Sequence, residues 1–151
     1  MSDRQVVYVG IDVSKDSLSV DAGALFKGDV PNTPASIRGL IRKIGKQAGD
    51  GSVPHFCFES TGPYSESLFI ECCEAGAAAS VLNPAKVRHY AQAMSESAKT
   101  DPIDARVIQL FAEARNPEPT PAPSAAAVTL RKLVLARDAL TKSIVQLSET
   151  L

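Results

Sequence analysis

The segment Gln5-Val6-Val7-Tyr8-Val9-Gly10-Ile11-Asp12-Val13 constrains this chain more than any other part of it. An almost continuous β-branched run of this kind suits a strand buried on both faces in the middle of a sheet. This one nevertheless contains a carboxylate, Asp12. A charge inside an apolar strand is expensive to bury unless a cation or a hydrogen-bonding partner compensates it. With 151 residues, 44% of them apolar and 22% charged, the chain has the material for one ordinary domain, or one domain plus a helical appendage, and disorder as the main state is excluded.

A polar turn at Ser14-Lys15-Asp16 leads to Ser17-Leu18-Ser19-Val20-Asp21, which alternates with period two, and residues 24–30 form a third strand after Gly23. Three adjacent strands in a meander are expected. From Thr33 the period changes: Ile37, Leu40, Ile41 and Ile44 recur at helical spacing, Thr33-Pro34 supplies a cap and first-turn pair, and Gly49 stands near the stop. Residues 53–59 read as a strand, 64–74 as a helix, and 77–82 as another strand ending at Asn83-Pro84. Residues 85–94 and 102–115 read as helices, the second with Ile103, Val107, Leu110 and Phe111 on one face. The strand, helix, strand order implies a right-handed crossover.

Pro117, Pro119, Pro121 and Pro123 fall at alternate positions, so residues 116–124 are expected to be a semi-rigid extended spacer and the boundary of a domain spanning 1–115. Beyond it, Leu130, Leu133, Leu140, Ile144, Leu147 and Leu151 lie on alternating three- and four-residue steps interrupted only by Arg137. That is the heptad pattern of a coiled-coil seam, and it predicts a homodimer or higher oligomer through 125–151; the alternative is a long helix packed on its own domain.

Lys and Arg number 16 against 17 Asp and Glu, a formal charge of -1, so any contact with nucleic acid must use local patches. Cys57, Cys72 and Cys73 are odd in number and two are adjacent, which suits three small core residues in a reducing cytoplasm better than a disulfide framework. His55 and His89 are the only histidines and no Cys-x-x-Cys spacing exists, which leaves zinc without a closed tetrahedral site. No apolar run approaches the ~18 residues that span a bilayer and no signal segment opens the chain, so a cytoplasmic protein without a membrane partner is expected.

Four carboxylates stand apart by position: Asp12 within the first strand, Glu59 at the exit of Phe56-Cys57-Phe58, and Asp101 and Asp104 at the opening of a helix. If the strands carrying Asp12 and Glu59 are parallel neighbours, the two emerge side by side. Asp101 and Asp104 are spaced to share a helix face, with Pro102 suited to the first turn. The plain alternative for that pair is capping, since Asp at a helix start accepts from free amides and meets the favourable end of the dipole. Taken together, four oxygen donors suit Mg²⁺ or Mn²⁺, and two such ions clamp the attacking and departing oxygens of a phosphodiester. Lys15, after Asp12, and Lys99, beside the acidic pair, are candidates for phosphate contact or else plain surface lysines.

The segments Val9-Gly10-Ile11-Asp12-Val13-Ser14-Lys15, Phe58-Glu59-Ser60-Thr61-Gly62-Pro63-Tyr64, Val81-Leu82-Asn83-Pro84 and Lys99-Thr100-Asp101-Pro102-Ile103-Asp104-Ala105-Arg106 resemble the N-terminal domain of the DEDD transposases of bacterial insertion sequences, which are related to the Piv and MooV DNA recombinases. The resemblance covers about residues 5–115. It implies a ribonuclease H-like, RuvC-like α/β fold, with Asp12, Glu59, Asp101 and Asp104 as the family's catalytic, metal-holding tetrad. It also implies action on DNA, a structured RNA from the element as guide, a coiled-coil segment corresponding to 125–151, and then a second domain with a nucleophilic serine. The chain ends at Leu151, inside the expected coiled coil, so the serine domain is absent from it and the isolated chain is expected to be incomplete for recombination. Pro102 stands where relatives often carry a basic side chain.

For nucleic-acid contact the foremost stripe is Arg38, Arg42 and Lys46, four apart and beside Lys43, opposite the apolar face of the first helix; a merely solvated face is the alternative. A weaker patch holds Lys86, Arg88 and His89. With three Tyr, five Phe and no Trp, base stacking is not an evident theme, so contacts should be mainly to phosphate. Two other classes of function compete with a metal-dependent transposase domain. One is a catalytically inert module that binds nucleic acid and dimerises. The other is an actin-like ATPase, to whose first phosphate segment Val9-Gly10-Ile11-Asp12 is also similar, although glycines are short after Asp12.

Overall fold

The structure is a computed structural model, and it describes residues 3–94 and 103–151. The elements in chain order are β1 (Gln5–Val13), β2 (Ser17–Asp21), β3 (Lys27–Pro31), α1 (Pro34–Ala48), β4 (Ser52–Glu59), α2 (Pro63–Glu74), β5 (Ala78–Leu82), α3 (Pro84–Met94), α4 (Ala105–Arg115) and α5 (Ala125–Thr150). The strands make one sheet in the order β3-β2-β1-β4-β5. β1, β2 and β3 are the expected antiparallel meander, whereas β4 joins β1 in parallel and β5 joins β4 in parallel. The third strand starts at Lys27, later than expected, because the Ala22 amide donates to the Phe26 carbonyl at 2.8 Å and the intervening residues become the turn.

β1 is central and its alternate residues enter two different cores. Val9, Ile11 and Val13 join Phe56, Phe58, Leu18 and Val20 beneath α1 and α2, which contribute Ile37, Leu40, Ile44, Leu68 and Cys72. On the opposite face Tyr8 and Cys57 join Leu82, Val87, Ile108 and Phe111 beneath α3 and α4. The helix ends follow local chemistry. Thr33 Oγ1 accepts from the Ser36 amide ahead of Pro34, and Ser124 Oγ accepts from the Ala127 amide at the start of α5. Burial pushes the Cys57 and Cys72 thiols up to about 12, so both are inert packing groups, and among the described residues no cysteine forms a disulfide.

The expected helix over 102–115 is corrected at its start. Residues 103 and 104 are not helical, and α4 begins at Ala105 with Asp104 as N-cap, its Oδ1 accepting from the Val107 amide at 2.9 Å. At the other end Asn116 adopts the left-handed conformation (φ 47°) and its amide closes on the Ala112 carbonyl. The chain beyond it is fastened to the sheet edge: the Thr120 amide donates to the Ala79 carbonyl, the Val81 amide to Thr120 Oγ1, and Ser80 Oγ to the Glu118 carbonyl at 2.7 Å. Since the Ser80 hydroxyl spends its proton on Glu118, His55 Nε2, 2.7 Å away, is the donor to Ser80 Oγ; burial lowers the His55 pKa, in keeping with a neutral ring.

The chain divides into two compact units, Met1–Thr120 and Pro121–Leu151. In the second, Leu130, Leu133, Leu140, Ile144 and Leu147 are 62–66% exposed. Among the described residues no helix is long and apolar enough to cross a membrane.

In the first unit α4 lies directly on β1. A Cβ added to Gly10 would collide with the Ala105 carbonyl and stand 2.5 Å from the Gln109 amide nitrogen, both of them backbone atoms. An isolated glycine within a strand often marks such an approach. Gly10→Ala therefore forces α4 off the sheet, and a loss of about 3 kcal/mol by chemical denaturation is expected from overpacking. A variant as stable as the parent would contradict this packing.

A candidate acidic centre at the ends of β1 and β4

Strand register makes Asp12 and Glu59 neighbours. In the parallel β1–β4 ladder Gly10 stands opposite Cys57 and Ile11 opposite Phe58, and the next residue of each strand is a carboxylate. Neighbouring strands lie ~4.8 Å apart and alternate residues share a face. Asp12 and Glu59 thus leave the sheet on the face of Gly10 and Cys57, the face that α4 covers, and both are half-buried. After Glu59 the chain turns through Gly62 (φ 62°) into α2, with the Thr61 amide held by Ser65 Oγ.

Asp104 reaches this corner from the other side. Because α4 seats on Gly10, its N-cap stands at the end of β1, and Asp104 also lines a shallow cleft with Ser19, Asp21 and Asp29 of β2 and β3. Burial, and then the Asp104 carboxylate, raise the Asp12 pKa above its ordinary 3.8. Burial, and then the Asp12 carboxylate, raise Glu59 above 4.5, against an opposing pull from the Arg88 guanidinium on α3. Acids from three separate stretches of chain therefore meet at one corner, Asp12 and Glu59 half-buried and Asp104 exposed, with Asp104 acting on Asp12 and Asp12 on Glu59.

Asp101 and Lys99 lie outside the described residues. Lys15 is exposed in the β1–β2 turn that follows Asp12. The stripe on α1 lies elsewhere: α1 packs on the opposite face of the sheet, and Arg38 Nη1 is 3.3 Å from Oε1 of Glu71, a buried acid of α2. Arg42 and Lys46 are exposed on the same helix, and Lys43 Nζ lies 5.0 Å from the centre of the Phe26 ring. Two contributors escape a reading of the sequence. Gly10 could have been found as the glycine interrupting an apolar strand, whereas the nearness of Arg88 to Glu59 has no local signal.

Among the described residues, no three His, Cys, Asp or Glu side chains form a ready-made metal cage. The donor chemistry at the corner is still that of a hard cation: oxygen ligands alone, with Asp12 and Glu59 destabilised in their ionised forms by burial and by a neighbouring carboxylate. Such ions, Mg²⁺ above all, take one or two protein carboxylates and complete their shell with water and substrate phosphates.

A mixed five-stranded sheet flanked by helices, with acids gathered at the carboxyl ends of its two central parallel strands, is consistent with the ribonuclease H-like class of α/β proteins. Residues 9–151 match the model of the DEDD transposases of the IS110 type, described as a transposase. The chain belongs to the DEDD transposases of insertion sequences, and its general function is that of a transposase. No curated protein matches it.

The raised carboxylates have a signed consequence. The folded protein holds these protons more tightly than the unfolded chain, so the stability linked to them is full below about pH 4 and is lost as pH rises through the folded values. In metal-free protein, Asp12→Asn is expected to raise Tm at neutral pH, with the advantage vanishing below about pH 4. Melting curves across that range are the check, and a variant less stable than the parent at neutral pH would contradict the repulsion.

Proposed function

We propose that this chain carries a RuvC-like domain that cleaves or transfers phosphodiester bonds of DNA with a divalent metal, using Asp12, Glu59, Asp101 and Asp104. The observation that supports it most is the juxtaposition of Asp12 and Glu59 by strand register, with Asp104 near enough to raise the Asp12 pKa. Like charges drawn together in a half-buried corner oppose folding, and a bound cation is the simplest compensation.

Asp12 and Glu59 would hold Mg²⁺ or Mn²⁺, with Asp104 and Asp101 completing the acidic side. Bound there, a divalent ion supplies a Lewis acid that activates an attacking oxygen and offsets the charge of the departing one. The side chains do the positioning. β1 and β4 fix the first two carboxylates on rigid strands, and the Val107 amide restrains Asp104 through one oxygen and leaves the other unclaimed by it. Arg88 moderates the charge at Glu59 and is suited to a phosphate oxygen, as is Lys15 in the exposed turn.

The exposed apolar seam of α5 supports self-association through 125–151 as a coiled coil. The doubled substitution Leu140→Glu with Ile144→Glu is expected to reduce the mass measured by light scattering from a dimer or higher oligomer to the single chain of 16.0 kDa. An unchanged mass would remove that role from the helix.

The metal reading is tested by melting the protein in rising Mn²⁺. Stabilisation of the parent should reach about 2.7 kcal/mol at a hundredfold excess over Kd, and Asp12→Ala should show almost none. Identical curves for the two proteins would favour an inert nucleic-acid-binding module.

A further inference from the structure

Beside the acidic corner lies a cavity of about 690 Å³ between α3, α4 and the carboxyl end of β5. Leu82 lines it and is paired in register with Glu59, so the cavity opens one strand away from the carboxylates and on the same face of the sheet. Its size falls in the roughly 300–1,000 Å³ of clefts that hold small ligands.

Its lining differs in kind from the acidic corner. Lys86 and His89 on α3 and Arg115 at the end of α4 face it, together with Asn83, and among the described residues no carboxylate lines it. Among the described residues none of the three basic side chains has an ion pair or hydrogen bond. The floor is aromatic. Tyr90 and Phe111 meet edge to face with ring centres 5.6 Å apart; Phe111 is buried and Tyr90 half-buried, so Tyr90 is the ring the cavity can offer to a ligand. Cations without partners around an aromatic floor, with an amide side chain at the rim, match a ligand that is anionic at one end and a flat heteroaromatic at the other.

We infer that this cavity receives one unpaired nucleotide of a DNA strand whose neighbouring phosphate lies at the acidic corner, with the base stacked on Tyr90 and the phosphate held by Lys86 and Arg115. This extends the reading of the chain as a DNA-processing protein. It gives the cluster on α3 a purpose distinct from the α1 stripe, and it accounts for cations and acids sharing one face of the sheet: the first draw the strand in, and the second act on it. Arg88, on the same helix as Lys86 and His89 and acting on Glu59, bridges the two regions.

The test measures binding of the whole chain to a fluorescent single-stranded deoxyoligonucleotide, to a duplex of the same sequence and to the matching RNA strand. EDTA is present throughout, so the result does not depend on whether the carboxylates hold metal. Tyr90→Leu keeps an apolar side chain but removes the ring, and is expected to weaken single-strand binding roughly tenfold while Tyr90→Phe does not. Lys86→Ala combined with Arg115→Ala, both at exposed positions, should flatten the salt dependence of single-strand binding by about 1.4 in log-log slope. A 2-aminopurine in the strand should be quenched by the parent and by Tyr90→Phe, and not by Tyr90→Leu. If Tyr90→Leu fails to fold, the salt slope decides. Equal losses on duplex and single strand, losses confined to RNA, or no loss from the paired alanines would each overturn the inference.

Discussion

The close seat of α4 on Gly10 is the contact on which the rest depends. Two backbones come together where any side chain would intervene, and this fixes the start of α4 at the end of the central strand. Parallel pairing alone sets Asp12 beside Glu59, but only the seat of α4 adds Asp104 from a distant part of the chain. The two cores on either side of the sheet supply the packing that holds these like charges together, helped by the Arg88 guanidinium beside Glu59.

The sheet also divides labour between its faces. Toward α1 and α2 the chain buries its larger apolar core, and Arg38 serves as counter-ion to the buried Glu71, a structural use of a residue whose spacing also suits a phosphate backbone. Toward α3 and α4 it gathers the half-buried acids, the guanidinium of Arg88 and a basic, aromatic cavity. Chemistry thus collects on the face with the smaller core, where polar side chains displace less packing. The fastening of residues 116–120 along β5 closes that face at its edge: Pro117 lines the cavity, and Ser80, oriented by His55, holds Glu118.

Much of this architecture is legible from local pattern. The β-branched run of β1, the period-two alternation of β2 and the Thr33-Pro34 opening of α1 each specify their element with little help from the rest of the fold. Where tertiary contact decides, the pattern misleads. The spacing of Asp101 and Asp104 and the presence of Pro102 suggest a helix from 102, yet Asp104 lies outside α4 because its side chain caps the Val107 amide. Alternating prolines after Asn116 read as a semi-rigid extended spacer, but the hydrogen bonds of Glu118 and Thr120 to β5 depend on an edge strand far away in sequence. The side-by-side exit of Asp12 and Glu59 is foreseeable once the two strands are taken as parallel neighbours. The partner of Arg38 and the position of Arg88 are not, since both are set by helix placement.

The central claim is that acids remote in sequence converge around a divalent cation. Anomalous diffraction from a crystal of this chain grown with Mn²⁺ tests it most directly, because the signal reports the ion and its protein neighbours together. The account predicts a peak bound jointly by the carboxylates of Asp12 and Glu59, with Asp104 close by. Manganese bound elsewhere on the protein, with that corner empty at saturating concentration, would contradict it.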